Sequence, residues 1–139
     1  MHALFQKADK ISHDVIGAAI EVHRRMGSGL IESIYERCMV RELELRSIPA
    51  ATQQLVRIQD KSIVFDEPLR FDFLVESCLL LELKAVEALH PFSKAQLFSY
   101  MKVLDVPVGL LINFHEPVLK NSILPADLAG GKSNGRKRS

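Results

Sequence analysis

The chain reads as an α/β or α+β domain, a sheet with helices packed against it. Three features point there. Two N-terminal segments carry apolar residues at helical spacing, and the middle of the chain switches to an alternating, extended pattern. A third helical segment then precedes a short run of continuous apolar residues, the pattern of a strand covered on both faces. The 139 residues, 47% hydrophobic and 25% charged, suit one domain with a modest core.

In order, the first helix is predicted from Ala8 to Met26, where Ile11, Val15, Ala18, Ala19, Val22 and Met26 form one apolar face. Gly27 is placed to end it as a left-handed residue. A second helix follows from about Ile31 to Arg46, carrying Ile31, Ile34, Tyr35, Cys38, Met39 and Leu43, and Pro49 blocks its extension. From Thr52 the period falls to two. "QLVRIQ" alternates, Asp60 and Lys61 make a turn, and "SIVF" resumes the strand. Pro68 is expected to interrupt or bend the pairing. "LRFDFLV" and "CLLLELKA" read as two further strands joined at about Glu76 and Ser77. "PFSKAQLFSYMKVLD" returns to helical spacing, with a start at Pro91 or Ser93. "VGLLINF" is the buried strand, and a last extended piece falls near "SILP". The helix before "VGLLINF" permits a crossover, so part of the sheet can be parallel.

Composition narrows the function. Of the 18 basic residues, four lie in the last ten positions, which hold no acidic residue. Against 17 acidic residues, the remainder leaves the body about three charges negative. Such a body is not the bulk cation that grips nucleic acid without specificity. The tail from 129 to 139 is Gly-, Ser- and Asn-rich and reads as a basic disordered end after a single domain spanning 1–128. No apolar run reaches the ~20 residues of a membrane span. The N-terminus lacks the pattern of a secretory signal. Cys38 and Cys78 have no metal-type spacing and read as reduced thiols in a cytoplasmic protein. His13, His23, His90 and His115 show no ligand spacing either.

The chemistry concentrates in "LLLELKAVE", Leu79 to Glu87. Glu82 and Lys84 stand two apart in an otherwise apolar strand, hence on one face. If Val75 pairs with Leu79 across the loop, Asp72 falls opposite Glu82, with Cβ atoms ~5 Å apart. Arg70 then sits diagonally close, while Phe71, Phe73, Leu81 and Leu83 point the other way. A slip of one residue separates the two carboxylates. Facing carboxylates are tolerated when a cation lies between them. Magnesium suits such a site, and a lysine beside it can orient the attacking water of a phosphodiester hydrolysis. The same spacing also fits a cross-strand salt-bridge cluster on a solvated face.

Several segments together resemble a known family. "GLIESIY", Gly29 to Tyr35, is similar to the Gly-x-x-Glu-x-x-Tyr signature of the GxxExxY proteins. "VIGAAIEVHRRMGSGLIESIYERCM", the Asp72 strand, "LELKAVEAL", "AQLFSYMKVL" and "VGLLINF" resemble that family in the same order, from about Ile11 to Leu124. The resemblance implies the PD-(D/E)XK nuclease-like superfamily and a restriction-endonuclease-like α–β–β–β–α–β core, with the first helix as an addition. It implies a metal-dependent nuclease using Mg²⁺ or Mn²⁺, with DNA or RNA as substrate. Asp72, Glu82 and Lys84 match the superfamily's Asp and Glu-x-Lys, with the Leu83 carbonyl as a third metal ligand. Glu32 matches the helix glutamate that approaches the metal, and Gln96 a polar residue on the following helix. Tyr35 and Tyr100 become candidates to line the site. Phe71 stands where the superfamily pattern has proline. Taken from the residues alone, Glu32 is equally a helix-start carboxylate favourable to the macrodipole. Gln96 and Tyr100 are equally a half-buried polar pair. A non-catalytic nucleic-acid-binding or protein-interaction module on the same fold fits the acidic body as well, and a homodimer is compatible with the sequence.

Overall fold

The computed structural model describes residues 2–119 and 123–127. The tail from 129 to 139 and the domain boundary at 128 lie outside the described residues. Helix α1 spans Phe5–Met26 and α2 spans Glu32–Leu45. Strand β1 (Ala50–Asp60), β2 (Ile63–Val75) and β3 (Leu79–Lys84) follow, then α3 (Pro91–Leu104), β4 (Val108–Asn113) and β5 (Ile123–Asp127). The five strands lie in chain order across one sheet. Only β3 and β4 run parallel, joined by the α3 crossover, and the other neighbours are antiparallel.

Two apolar layers sandwich the sheet. On one side, Ala8, Val15, Ala18, Ala19 and Val22 of α1 and Tyr35, Met39 and Leu43 of α2 cover Leu79, Leu81 and Leu83 of β3 and Leu110 and Ile112 of β4. On the other, Leu97 and Met101 of α3 cover Leu80 and Leu111. Alternate residues of β3 and β4 thus face opposite layers, which is why both strands read as continuous apolar runs. Gly27 ends α1 with φ +80°, where its N–H bonds the His23 carbonyl at 2.8 Å. At the start of α3, the His90 ring accepts from the Phe92 N–H at 3.0 Å, with Pro91 in the first turn. Cys38 and Cys78 are free thiols. Among the described residues, no helix is long and apolar enough to cross a membrane.

The structure corrects the strand reading at Pro68. "SIVF" and "LRFDFLV" form one strand, and Pro68 sits within it opposite Leu55. The reason lies in the neighbours. β2 pairs with β3 only over Phe73–Val75, so its outer part has a partner on one side alone. A missing N–H aimed at that open edge removes no ladder bond. The turn also shifts by one residue, to Lys61 and Ser62 between the Asp60–Ile63 pair, with Lys61 at φ +53°. From Gln53 to Arg70, β1 and β2 therefore make a two-stranded ribbon standing off the sheet. The β2–β3 hairpin closes as expected, with Val75 opposite Leu79. Glu76 and Ser77 occupy its loop with φ +50° and +60°.

The ribbon joins the sheet through a bulge. Ala51 pairs with Leu74 but Gln53 pairs with Arg70, so Phe71, Asp72 and Phe73 stand opposite Thr52 alone. The bulge resets the alternation. Phe71 and Leu74, three residues apart, both face the α3 layer, while Phe73 faces the α1/α2 layer. Phe71 therefore does not share the core side of Phe73, Leu81 and Leu83 that simple alternation predicts.

Candidate functional site

The bulge frees Asp72 from strict alternation and turns its carboxylate toward α2. On α2, Glu32 and Glu36 are four apart and project from one face. One oxygen from each of Glu32, Glu36 and Asp72 lies within 4.8 Å of the others, and all three residues are half-buried. Glu36 was not foreseen from the sequence. Its signal was present, because it stands one helical turn beyond Glu32.

Where the β2–β3 ladder stops, two side chains take over. The Asp72 N–H donates to the Glu82 carboxylate at 3.1 Å, and the Leu83 N–H donates to the Asp72 carboxylate at 2.7 Å. Each carboxylate stands in for a ladder carbonyl, leaving its second oxygen for other partners. A strand residue presents its N–H and C=O to the same edge. The Leu83 carbonyl thus shares the edge on which Asp72 sits, while the Lys84 carbonyl serves β4 by accepting from the Phe114 N–H at 2.7 Å.

The charges are poorly balanced. Burial raises the Glu82 carboxyl from an ordinary 4.5 to about 7, with the Asp72 charge adding to it and Lys84 opposing it. Burial likewise raises Glu36 to about 7, helped by the charge of Asp72 and by Glu32. Asp72 is also raised by burial, against the pull of the Leu83 N–H, its hydrogen bond with Glu36 and the charge of Lys84. These raised values fix a pH dependence. The folded state holds protons on Glu36 and Glu82 that the unfolded chain has already released. The resulting stabilisation is full below about 4.5 and is lost as pH rises through about 7. In EDTA, the melting temperature of the wild type should therefore fall from pH 5 to pH 8 more than that of Glu36→Gln/Glu82→Gln. Parallel melting curves for the two proteins would refute this.

Glu36, Asp72 and Glu82 open onto a cleft of about 450 Å³ between α2 and the base of the ribbon, lined also by Arg37, Gln53 and Arg70. The structure brings Glu32, Asp72, Glu82 and Lys84 together and places Arg70 in the cleft wall. It does not do so for the tyrosines. Tyr35 is fully buried, stacked on Phe114 at 4.5 Å and 15°. Its hydroxyl donates to the Gly27 carbonyl at 2.5 Å and accepts from the Leu30 N–H at 3.2 Å. It ties the α1–α2 connection to the core and lines no site. Tyr100 packs against the α3-side core instead. Gln96 is half-buried on α3 and does not line the cleft.

The donor set fits a hard divalent cation. Of the three clustered carboxylates, Asp72 is raised by burial and Glu36 by burial and the charges of Asp72 and Glu32, which favours a positive ion over three free charges. A mixed sheet with α1 and α2 on one face and α3 on the other, its acidic cluster where two strands part, defines a restriction-endonuclease-like α+β fold. The model of the PD-(D/E)XK nuclease superfamily matches residues 9–124, and the chain belongs to that superfamily. No curated protein and no solved structure matches it.

Proposed function

We propose that the chain is a divalent-metal-dependent nuclease of the GxxExxY branch. The observation that carries this reading is the approach of Glu32, Glu36 and Asp72 within 4.8 Å of one another beside Lys84. Glu32, Glu36 and Asp72 would hold Mg²⁺ or Mn²⁺, with Glu82 and the Leu83 carbonyl at the same strand edge. The bound ion would polarise a phosphoryl oxygen and lower the pKa of a water. Lys84 lies near Asp72 and Glu82, where it can orient that water and steady negative charge on phosphorus. The Glu82 carboxylate accepts from the Asp72 N–H and the Asp72 carboxylate from the Leu83 N–H, so both are held in place before a phosphodiester arrives. Gln96 enters only through the family resemblance. DNA or RNA is the substrate class.

The test is a panel of single- and double-stranded DNA and RNA, with Mg²⁺, Mn²⁺ or EDTA. Wild type should cleave at least one substrate with metal alone, and Lys84→Ala should lose on the order of 10²-fold or more in rate. Equal cleavage by Lys84→Ala would sink the proposal. One observation favours a second reading. The bonds from the Asp72 N–H to Glu82 and from the Leu83 N–H to Asp72 stabilise the parting strands without any metal. A non-catalytic module would keep that arrangement, and it would show no metal-dependent cleavage on any substrate of the panel.

A further inference from the structure

Arg37 and Arg70 line the same cleft as Glu36, Asp72 and Glu82. Arg37 follows Glu36 on α2, and Arg70 precedes Asp72 by two on β2. Four other arginines meet carboxylates: Arg24 on Glu21, Arg41 on Glu44, Arg46 on Glu42 and Arg57 on Asp66, while Arg25 at the end of α1 meets none among the described residues and faces no cleft acid. Among the described residues, the Arg37 and Arg70 side chains have no such partner, although acids crowd the cleft they face. Both are exposed. Asp72 and Glu82 feel the charge of Lys84 instead.

Two unspent guanidinium groups flanking a carboxylate cluster suit phosphate, which accepts their paired N–H donors in a planar fork. We propose that Arg37 and Arg70 form a two-point phosphate clamp that holds a single nucleic-acid strand in the cleft, one phosphate from α2 and one from the ribbon. The clamp rests on the nuclease reading for its choice of a phosphodiester ligand. Single strand is favoured over duplex on two grounds. A duplex presents two backbones across grooves of roughly 6–12 Å and calls for a broad basic face. The body is about three charges negative, which disfavours a broad contact with two backbones, and the cleft of about 450 Å³ lies between one helix and one ribbon, the width of a single strand's path.

The test measures binding of fluorescent single-stranded DNA, single-stranded RNA and the matching duplexes to the full chain, with Ca²⁺ in place of Mg²⁺, across a salt series. Each phosphate contact on a single strand contributes about −0.7 to the slope of log K against log salt. Arg37→Gln and Arg70→Gln should each flatten the wild-type slope by about 0.7, and the double variant by about 1.4. Between 50 and 200 mM salt the double variant should thus lose about sevenfold less affinity than wild type. Arg41→Gln, one turn further along α2 and outside the cleft, controls for general charge and should keep the wild-type slope. Duplex binding should not respond to the two substitutions. A greater response with DNA or with RNA names the sugar, and either supports the clamp. Unchanged slopes in both variants overturn it, as does a duplex response equal to that of the single strand. Cleavage with Mn²⁺ is scored in parallel. Cleavage by wild type with unchanged slopes removes the clamp and leaves the nuclease, whereas flattened slopes without cleavage remove the nuclease and keep the clamp.

Discussion

Asp72→Asn should lose Mn²⁺ binding by at least about 100-fold in calorimetry, since changing even an outer-shell partner of a metal ligand typically costs 10–100-fold. The fold should survive. The amide keeps an oxygen to accept the Leu83 N–H, the 2.7 Å bond that closes the strand end, and the Asp72 N–H bond to Glu82 involves only main chain on the β2 side. What disappears is the negative charge at the centre of the cluster. Because that charge raises the carboxyl groups of Glu36 and Glu82, its removal also relieves them in the metal-free protein. The variant should then melt at the wild-type temperature or above it in EDTA at pH 8, while losing the stabilisation that Mn²⁺ gives wild type. Wild-type Mn²⁺ affinity in Asp72→Asn would remove Asp72 from the metal site.

The largest stability effect is expected at Tyr35. Tyr35→Ala removes a fully buried aromatic ring stacked on Phe114 and should cost about 3–5 kcal/mol in denaturant unfolding. Tyr35→Phe keeps the stack and deletes only the hydroxyl that joins the Gly27 carbonyl to the Leu30 N–H. That variant should cost about 1–3 kcal/mol, the range for a buried polar group left without its partner. Cleavage per folded molecule should not change in Tyr35→Phe. The opposite pattern, stability kept and cleavage lost, would return the hydroxyl to the chemistry.

These two residues also show where the sequence was readable. Asp72 and Glu82 could be set opposite each other because the loop between their strands is short, although β3 is buried on both faces and burial alone left a one-residue slip open. The face of α1 was readable from spacing, since Val15, Ala18, Ala19 and Val22 of the expected stripe are buried, while Met26 at its end is exposed. Tyr35 read first as a core or boundary aromatic and became a site candidate only through the resemblance, because a tyrosine beside a glutamate signature fits either place. Its burial depends on Phe114, 79 residues later in the chain. Glu36 was missed although its spacing from Glu32 is local, because three carboxylates converge only once the bulge turns Asp72 toward α2. "LRFDF" alternates without a break through the bulged residues and carries no glycine to announce a bulge. Pro68 misled for a related reason. Its tolerance depends on which strand edge lacks a neighbour, a fact of sheet order rather than of local sequence.

The bulge at Phe71–Phe73 has a consequence for how this architecture can diverge. It works as a phase joint: the facing of side chains in the ribbon is set on one side of it and the facing in the sheet on the other. A matched pair of residues added or removed at the Lys61 turn would change the reach of the ribbon and leave the bearing of Asp72 untouched. A single residue gained or lost inside the joint would swing Asp72 away from α2 while the five-stranded sheet stayed whole. Length can therefore drift at the tip under selection for new contacts, and the spacing from Arg70 to Leu74 is where descent has the least freedom.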